Sequence, residues 1–415
     1  MDSRLLRGII PGSIGFLAVL AAGLWAPQNA QAYPQFAIEY NVRCTTCHSL
    51  AFPKLNATGY EFRRLGFRLP ANVANGTPGP VAPGTPGTPG TKYDFSNYFS
   101  IASTMGYIAQ NPNFKSAAVD SSGGFHYNGA SLYAAGPIPG DFAFQLEESL
   151  GGNGTTSLAN AYMQYDRGNL DNLITVKFGQ FSKMEAIGPF DRSILSGGIA
   201  TSQSINGFSP GGGERGIQLG YTYKQDTSAM VSLFNGIAAP GGGTPADLAG
   251  STQDSNTPKD FMVQAYHTFD KSGTSVSAFY YHGDTMVTSS TPSFDDIFYA
   301  AGIGGSYFVT PKLNVMAAYV RGNHDVPSSG EGVASTSLDN EGYLGEVDYG
   351  LTPMTVLVAK YEGRDQQTMG VLQQVTAGVA HSFTPFTKLT VQYQNRFGMT
   401  GSAAQIGTAA FEVAF

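Results

Sequence analysis

Apolar and polar residues alternate with a period of two over most of the chain beyond residue 92. In the stretch LTVQYQ at 389–394 every second residue is apolar, and the stretches GIQLGYTY at 216–223 and FMVQAY at 261–266 show the same pattern. Alternation over about ten residues is typical of transmembrane β-barrel strands, whose side chains face lipid and lumen in turn. The pattern therefore predicts an all-β protein, a transmembrane antiparallel β-barrel.

Counting the alternating runs predicts about sixteen strands. The predicted spans are 93–109, 123–135, 141–150, 158–167, 173–182, 214–223, 229–237, 260–269, 273–283, 295–308, 312–322, 339–350, 353–363, 371–383, 387–397 and 404–415. Every second connection between them is short, whereas 183–213, 238–259 and 323–338 are long. Short periplasmic turns that alternate with long outer loops are the topology of outer-membrane barrels. A soluble propeller is the alternative, but no repeat of about forty residues is visible.

Composition agrees with a barrel. Charged residues make up 13 % of the chain, which also contains 53 Gly, 27 Phe and 22 Tyr. So low a charge content is unusual for a cytosolic enzyme, and so many aromatic residues are unusual for a disordered chain. No Ser-His-Asp nucleophilic site, phosphate loop or nucleic-acid motif stands out.

The first 32 residues have the pattern of a signal peptide. Arg4 and Arg7 precede an apolar stretch at 14–25, and Ala30-Gln31-Ala32 has the form of a cleavage site. An uncleaved anchor is the alternative, but the apolar stretch is short for a span of about 20 residues. Residues 71–91 contain Pro, Gly and Thr without charge, which predicts a linker. The predicted organisation is a signal peptide at 1–32, a small segment at 33–70, the linker at 71–91 and the barrel at 92–415.

The segment at 33–70 contains both cysteines of the chain, in Cys44-Thr45-Thr46-Cys47-His48. C-x-x-C-H is the attachment signature of c-type haem, in which both thiols bind the haem covalently and the His is the proximal iron ligand. A disulfide, a thioredoxin-like redox pair and a metal site are the alternatives. A thioredoxin motif needs a βαβ context, and zinc needs four ligands. The motif therefore predicts one covalently bound haem c.

Charge and size predict where this segment lies. It carries five basic and two acidic residues, a net charge of +3, and residues 1–32 carry +1. The whole chain carries −7, which leaves −11 on the barrel region, so the two parts should attract each other. About forty residues are too few for a well-stabilised independent core, whereas a sixteen-strand barrel has an aqueous lumen. We expect the segment to plug the lumen or to lie at the periplasmic face; a tethered periplasmic cytochrome is the alternative.

The distal haem ligand is left open by the sequence. Residues 49–104 contain neither His nor Met. Candidates from the barrel are Met105, His126, Met163 and Met184. A five-coordinate iron is the alternative, and Lys177 and Arg396 are expected to line the lumen.

Four stretches of the N-terminal segment carry a family resemblance. They are PQFA at 34–37, the haem motif at 44–48, FPKLN at 52–56, and Gly59-x-x-Phe62-x-x-x-Gly66-Phe67. Together they resemble the fused outer-membrane monohaem cytochrome–porins, whose best-known members are Fe(II) oxidases. The resemblance implies haem attachment at Cys44 and Cys47, proximal ligation by His48 and a porin of about sixteen strands. Ile38 and Tyr60 depart from it, since related sequences often have Arg there.

The resemblance also implies a function. The expected activity is that of an Fe(II):cytochrome c oxidoreductase in the bacterial outer membrane, with membrane lipid around the barrel. Electrons would pass from extracellular Fe(II) through the single haem to a periplasmic c-type cytochrome or another soluble carrier. An outward electron conduit to metals and a diffusion porin with a haem-bearing plug are the alternatives.

Overall fold

The computed structural model describes twelve parts of the barrel region and several short stretches before it. These are residues 36–37, 40, 42–50, 54–70, 98–111, 122–138, 141–151, 156–183, 193–195, 213–236, 259–287, 294–327, 335–366, 370–384, 387–398 and 404–414. The predicted signal peptide at 1–32 and linker at 71–91 lie outside the described residues. Among the described residues, no helix is both long and apolar enough to span a membrane.

Sixteen strands follow one another along the barrel region. They are β1 (Phe99–Asn111), β2 (Ser122–Ile138), β3 (Phe142–Gly151), β4 (Thr156–Gly168), β5 (Asn172–Ser182), β6 (Gly213–Tyr223), β7 (Thr227–Phe234), β8 (Asp260–Thr268), β9 (Ser275–Val287), β10 (Phe294–Thr310), β11 (Leu313–Pro327), β12 (Ser335–Thr352), β13 (Thr355–Gln366), β14 (Gly370–Thr384), β15 (Thr387–Phe397) and β16 (Ala404–Ala414).

The strands form a closed antiparallel barrel, as the alternation predicts. Each strand pairs with its neighbours in sequence, and β1 closes the sheet on β16, from Ala102 opposite Ala414 to Asn111 opposite Gln405. The observed β15 has the predicted bounds, whereas β11 ends five residues later and β12 begins four residues earlier than predicted. Both extensions lie at the end with the long connections. Backbone pairing continues there through polar residues, which side-chain alternation does not reveal.

The two faces of the sheet have opposite polarity. On β6 and β7, Leu219 and Leu233 point outward and are 57 % and 51 % exposed, whereas Gln218 and Ser232 point inward and are buried. Exposed apolar and buried polar side chains are the reverse of a soluble core. An outward apolar band of this kind is what a lipid bilayer requires.

The N-terminal segment, by which we mean the described residues between 36 and 70, includes a short 3-10 turn and an α-helix of eight residues. A 3-10 turn spans Cys44–Thr46, and α1 spans Ala57–Arg64. Asn56 caps α1 by accepting a hydrogen bond from the Gly59 N–H, and Arg63 and Arg64 lie in its last turn. Both ends agree with the polarity of a helix dipole.

This segment contacts the barrel at the end with the short turns. The Ser49 hydroxyl donates to the Ser272 carbonyl at 2.8 Å, in the turn between β8 and β9. The Arg64 guanidinium donates to the Gln225 carbonyl, in the turn between β6 and β7. The first residue of β1 and the last of β16 are at this same end, because the strand number is even. The N-terminal segment therefore lies across the barrel mouth at the end where β1 begins.

Candidate haem-binding site

The C-x-x-C-H motif lies in a compact turn that folds back on residues 54–56. The Thr46 N–H donates to the Arg43 carbonyl at 2.9 Å, which closes the 3-10 turn. His48 forms an antiparallel bridge with Leu55, and the Asn56 N–H donates to the Cys47 carbonyl at 3.0 Å. Backbone hydrogen bonds on both sides of His48 thus define its position.

The His48 ring is oriented by one of its two nitrogens. Nδ1 lies 3.0 Å from the carbonyl oxygen of Lys54, so the protonated Nδ1 donates to it and Nε2 is the nitrogen that would ligate an iron. Metal-binding histidines are usually held by this kind of second hydrogen bond. Burial lowers the pKa of His48 to about 4, which favours the neutral imidazole needed for ligation. The donor set therefore fits an axial haem ligand.

The two cysteines differ in what the structure describes. Cys44 lies in the 3-10 turn, and its side chain is outside the described residues. Cys47 has a free, half-buried thiol, and burial raises its pKa to about 11. Redox-active C-x-x-C thiols have a lowered pKa, so this shift does not favour a thioredoxin-like pair. Within the described part of the chain, no three His, Cys, Asp or Glu side chains come together as a metal site.

Asn56 and Gly59 connect the haem motif to α1. The Asn56 amide donates to the carbonyls of Thr45 and Thr46 at 3.2 and 3.1 Å, while its oxygen caps the helix. A side chain at position 59 would overlap with the Cys47 carbonyl oxygen. The helix therefore packs directly on the motif's backbone.

An aromatic cluster joins α1 to the barrel wall. Phe36 stacks on Phe67 at a centroid distance of 5.2 Å and meets Phe62 edge-on at 4.9 Å. These rings pack against Ala135 of β2 and Ala143 of β3. Gly66, at φ +59°, brings the chain so close to the wall that a Cβ would lie 2.7 Å from the Ala143 methyl. Small residues on both sides thus permit the contact.

Buried ion pairs add to this apolar contact. Lys54 pairs with Asp348, and its Nζ lies 3.9 Å from Glu346 Oε1. Arg68 Nη1 lies 3.5 Å from Asp166 Oδ2. Burial lowers the pKa of Lys54 to about 8, and Glu346 opposes that shift. The contacts agree with the attraction expected between a basic segment and an acidic barrel.

The three candidates for a distal ligand that the structure describes are not gathered around His48. Met105 and Met163 face outward, 55 % and 49 % exposed, so both are excluded as ligands inside the barrel. His126 faces inward, but it lies twelve residues before the end of β2 at Ile138, toward the long connections. Met184 lies outside the described residues.

Part of the lumen wall is aromatic, which alternation alone did not predict. Inward-facing rings contact one another in the order Tyr162, Phe181, Phe234, Tyr281 and Phe298, with centroid distances of 5.5 to 6.3 Å. Each is 5 % exposed or less, so this side of the lumen is packed rather than filled with water. Lys177, predicted to line the lumen, lies over the Tyr162 ring at 4.5 Å. The sequence signal for this packed wall is the placement of aromatic residues at inward positions of their strands.

The opposite side of the lumen is more open. A cavity of about 310 Å³ lies where β1, β2, β3 and β16 meet. Its inward lining is small and polar, from Ala102, Thr104, Ser131, Tyr133, Ser149 and Glu412. The lumen thus has one packed and one polar, partly open side.

Solved structures share this fold, although sequence comparisons do not identify a family. None of the known protein-family models matches the chain, and neither does any curated protein. The outer membrane channel DcaP of Acinetobacter baumannii is similar at a TM-score of 0.52 and 13 % identity, over 76 % of this chain and 97 % of that one. The anion-selective porin from Comamonas acidovorans gives 0.53 and 14 %, over 76 % and 98 %. Salmonella typhi OmpF, in complex with daunomycin, gives 0.54 and 12 %, over 76 % and 97 %. The chain has the fold of outer-membrane porins.

Proposed function

We propose that this chain is an outer-membrane electron-transfer protein that binds one haem c through Cys44 and Cys47, with His48 as proximal ligand. The observation that carries the proposal is the C-x-x-C-H motif with its His48 ring oriented by the Lys54 carbonyl. When bound, the haem supplies one-electron redox chemistry. The barrel supplies a location in the outer membrane.

The proposed substrate is extracellular Fe(II), and the proposed acceptor is a periplasmic c-type cytochrome or another soluble carrier. Each turnover oxidises one Fe(II) to Fe(III) and reduces one acceptor by one electron. Ferric product forms on the outer side, which keeps insoluble oxide out of the cell. The resemblance of the N-terminal segment to the monohaem cytochrome–porins supports this direction of flow.

The chain's own residues hold the site. Residues 54–56 and α1 maintain the haem motif's backbone, and the aromatic cluster with Arg68 holds the segment against the wall. The packed aromatic side of the lumen reduces the space for water between the N-terminal segment and the outer end of the barrel. Proteins tune the reduction potential of a redox centre by excluding water from it and by fixing its axial ligand.

Anaerobic stopped-flow absorbance tests the proposal. The oxidised full-length protein is reconstituted in liposomes, Fe(II) is added outside, and the reduced haem band is followed. We expect reduction that saturates with Fe(II). A Cys44→Ser/Cys47→Ser variant controls for the barrel alone. Reduction by dithionite but not by Fe(II) would contradict the iron-oxidase function, and a chain without covalent haem would contradict the haem site.

A diffusion porin with a haem-bearing plug is the second candidate, favoured by the polar cavity between β1, β2, β3 and β16. Single-channel conductance in planar bilayers separates the two. We expect much lower conductance than for an open porin of sixteen strands, because aromatic side chains and the N-terminal segment fill part of the lumen. Conductance equal to that of an open porin would favour diffusion.

A further inference from the structure

We propose that Asp348 and Glu346 on the barrel wall, which hold the ammonium of Lys54 beside His48, set the reduction potential of the haem through their buried charge. The inference rests on the proposed haem site and deepens it. It assigns a role in the redox centre to residues of β12, about 300 positions away in sequence from the haem motif.

Lys54 makes two kinds of contact that connect the wall to the ligand. Its backbone carbonyl accepts the hydrogen bond from His48 Nδ1 at 3.0 Å. Its ammonium pairs with Asp348 and donates to Asn314 Oδ1 at 3.0 Å. The group that orients the His48 ring is therefore anchored to two strands of the barrel, β11 and β12.

The anchor is buried and carries excess negative charge. Lys54 is 3 % exposed, and the side chains of Glu346 and Asp348 are fully buried. Two carboxylates face this one ammonium, and Glu346 Oε1 and Asp348 Oδ1 each lack a hydrogen-bond donor. Negative charge near a haem stabilises its ferric form, and such charges are poorly screened where water is excluded.

Glu346, which faces the Lys54 ammonium, also contacts the long connection after β5. The Ser193 hydroxyl donates to Glu346 Oε2 at 2.6 Å. The neighbouring residues Ile194 and Leu195 are buried against β13 and β14, and Leu50 of the N-terminal segment packs on the same cluster. Residues from both ends of the barrel thus meet at one carboxylate close to the haem motif.

Stability alone does not account for this arrangement. A buried ion pair is often replaced by apolar residues without loss of stability, since desolvation offsets the attraction. The aromatic cluster already docks the segment by such apolar contacts. An ion pair at the residue that orients the ligand is explained better by an effect on that ligand.

Spectroelectrochemical titration of the full-length holoprotein tests the inference. We expect Asp348→Asn and Glu346→Gln to move the haem midpoint potential to more positive values, because each removes a negative charge. Lys54→Met should move it to more negative values. Glu214→Gln is the matched control, because Glu214 is also buried, inward-facing and paired with a lysine, Lys183 at 3.2 Å. It should leave the potential unchanged.

The outcomes separate this inference from the proposed function. Unchanged midpoint potentials in all three variants, with normal covalent haem, would overturn the inference alone. Absence of covalent haem in the unaltered chain would overturn the haem site itself. If Asp348→Asn does not assemble, Glu346→Gln still gives the test, because it leaves the contact between Lys54 and Asp348 in place.

Discussion

At the scale of single residues, the geometry of the haem motif depends on two residues outside it, one without a side chain and one whose side chain forms hydrogen bonds. Gly59 lies in α1 with its Cα facing the Cys47 carbonyl, and Asn56 bonds to both the motif and the helix. Neither residue belongs to C-x-x-C-H. Both control the geometry in which the cysteines and His48 are presented.

Gly59→Ala should lower covalent haem attachment. Alanine favours a helix over glycine by about 1 kcal/mol, but here its methyl group would displace the backbone of Cys47. The ratio of haem stain to protein measures the effect. Gly345→Ala is the control, since nothing lies within 4 Å of a Cβ there. Equal haem content in both variants would contradict the prediction.

Asn56→Ala should loosen α1 by about 1 kcal/mol, the usual loss for a missing N-cap. Hydrogen–deuterium exchange of residues 57–64 measures this as roughly fivefold faster exchange, provided that the helix opens locally. Asn56→Asp separates the two roles of the side chain, because it keeps the cap and loses the amide donors to Thr45 and Thr46. Unchanged exchange in Asn56→Ala would show that tertiary packing alone holds the helix.

At the scale of elements, α1 and the residues after it connect the haem motif to the barrel wall. One side of the helix faces the motif, while Phe62 and Phe67 face the wall at β2 and β3. An eight-residue helix is marginal by itself in water. Its stability therefore comes from packing against the barrel wall, so the geometry of the proposed haem site depends on docking of the segment.

Arg68→Ala should weaken docking of the N-terminal segment. The change leaves Asp166 buried without its cation and removes the 2.7 Å bond to the Phe142 carbonyl, and breaking a buried pair costs about 3–5 kcal/mol. Limited proteolysis should cut residues 33–70 faster. Arg321→Ala is the control, because its pair with Asp339 is exposed and contributes little. Identical cleavage of the two variants would show that the aromatic cluster suffices.

At the scale of the whole molecule, the barrel has an apolar exterior and a lumen that is partly packed. In an outer membrane the effect of a charge on this exterior should depend on its depth in the bilayer rather than on contacts within the protein. The inward aromatic rings make the lumen narrower than strand number alone indicates.

Leu219→Arg should destabilise the barrel by about 2–4 kcal/mol, as expected for a cation near the bilayer midplane. The same substitution at Val309, one residue before the end of β10, should cost about 0–1 kcal/mol because the charge reaches the interface. Urea unfolding in liposomes compares the two. Equal costs would mean that these outward faces do not both contact lipid.

Much of the barrel was predictable from sequence, because alternation with a period of two is local and persists through each strand. The strands and their order around the sheet agree with it, down to the bounds of β15. Predictions failed where the determinant is not a local pattern. The strand ends at the long connections are set by backbone pairing, and Met105 and Met163, named as ligand candidates by residue type, point outward from the barrel.

The sequence by itself determined the strand number, the alternation of short turns with long connections, and the C-x-x-C-H motif. Each of these depends on residues that are neighbours along the chain. Only the tertiary structure decided which carboxylates meet Lys54 and Arg68, because Glu346, Asp348 and Asp166 are three among 30 acidic residues. Closure of the sheet places strands that are distant in sequence around one lumen. The fold of the N-terminal segment then determines which carboxylates of the wall its basic side chains contact. The environment of His48 is therefore a property of the assembled barrel.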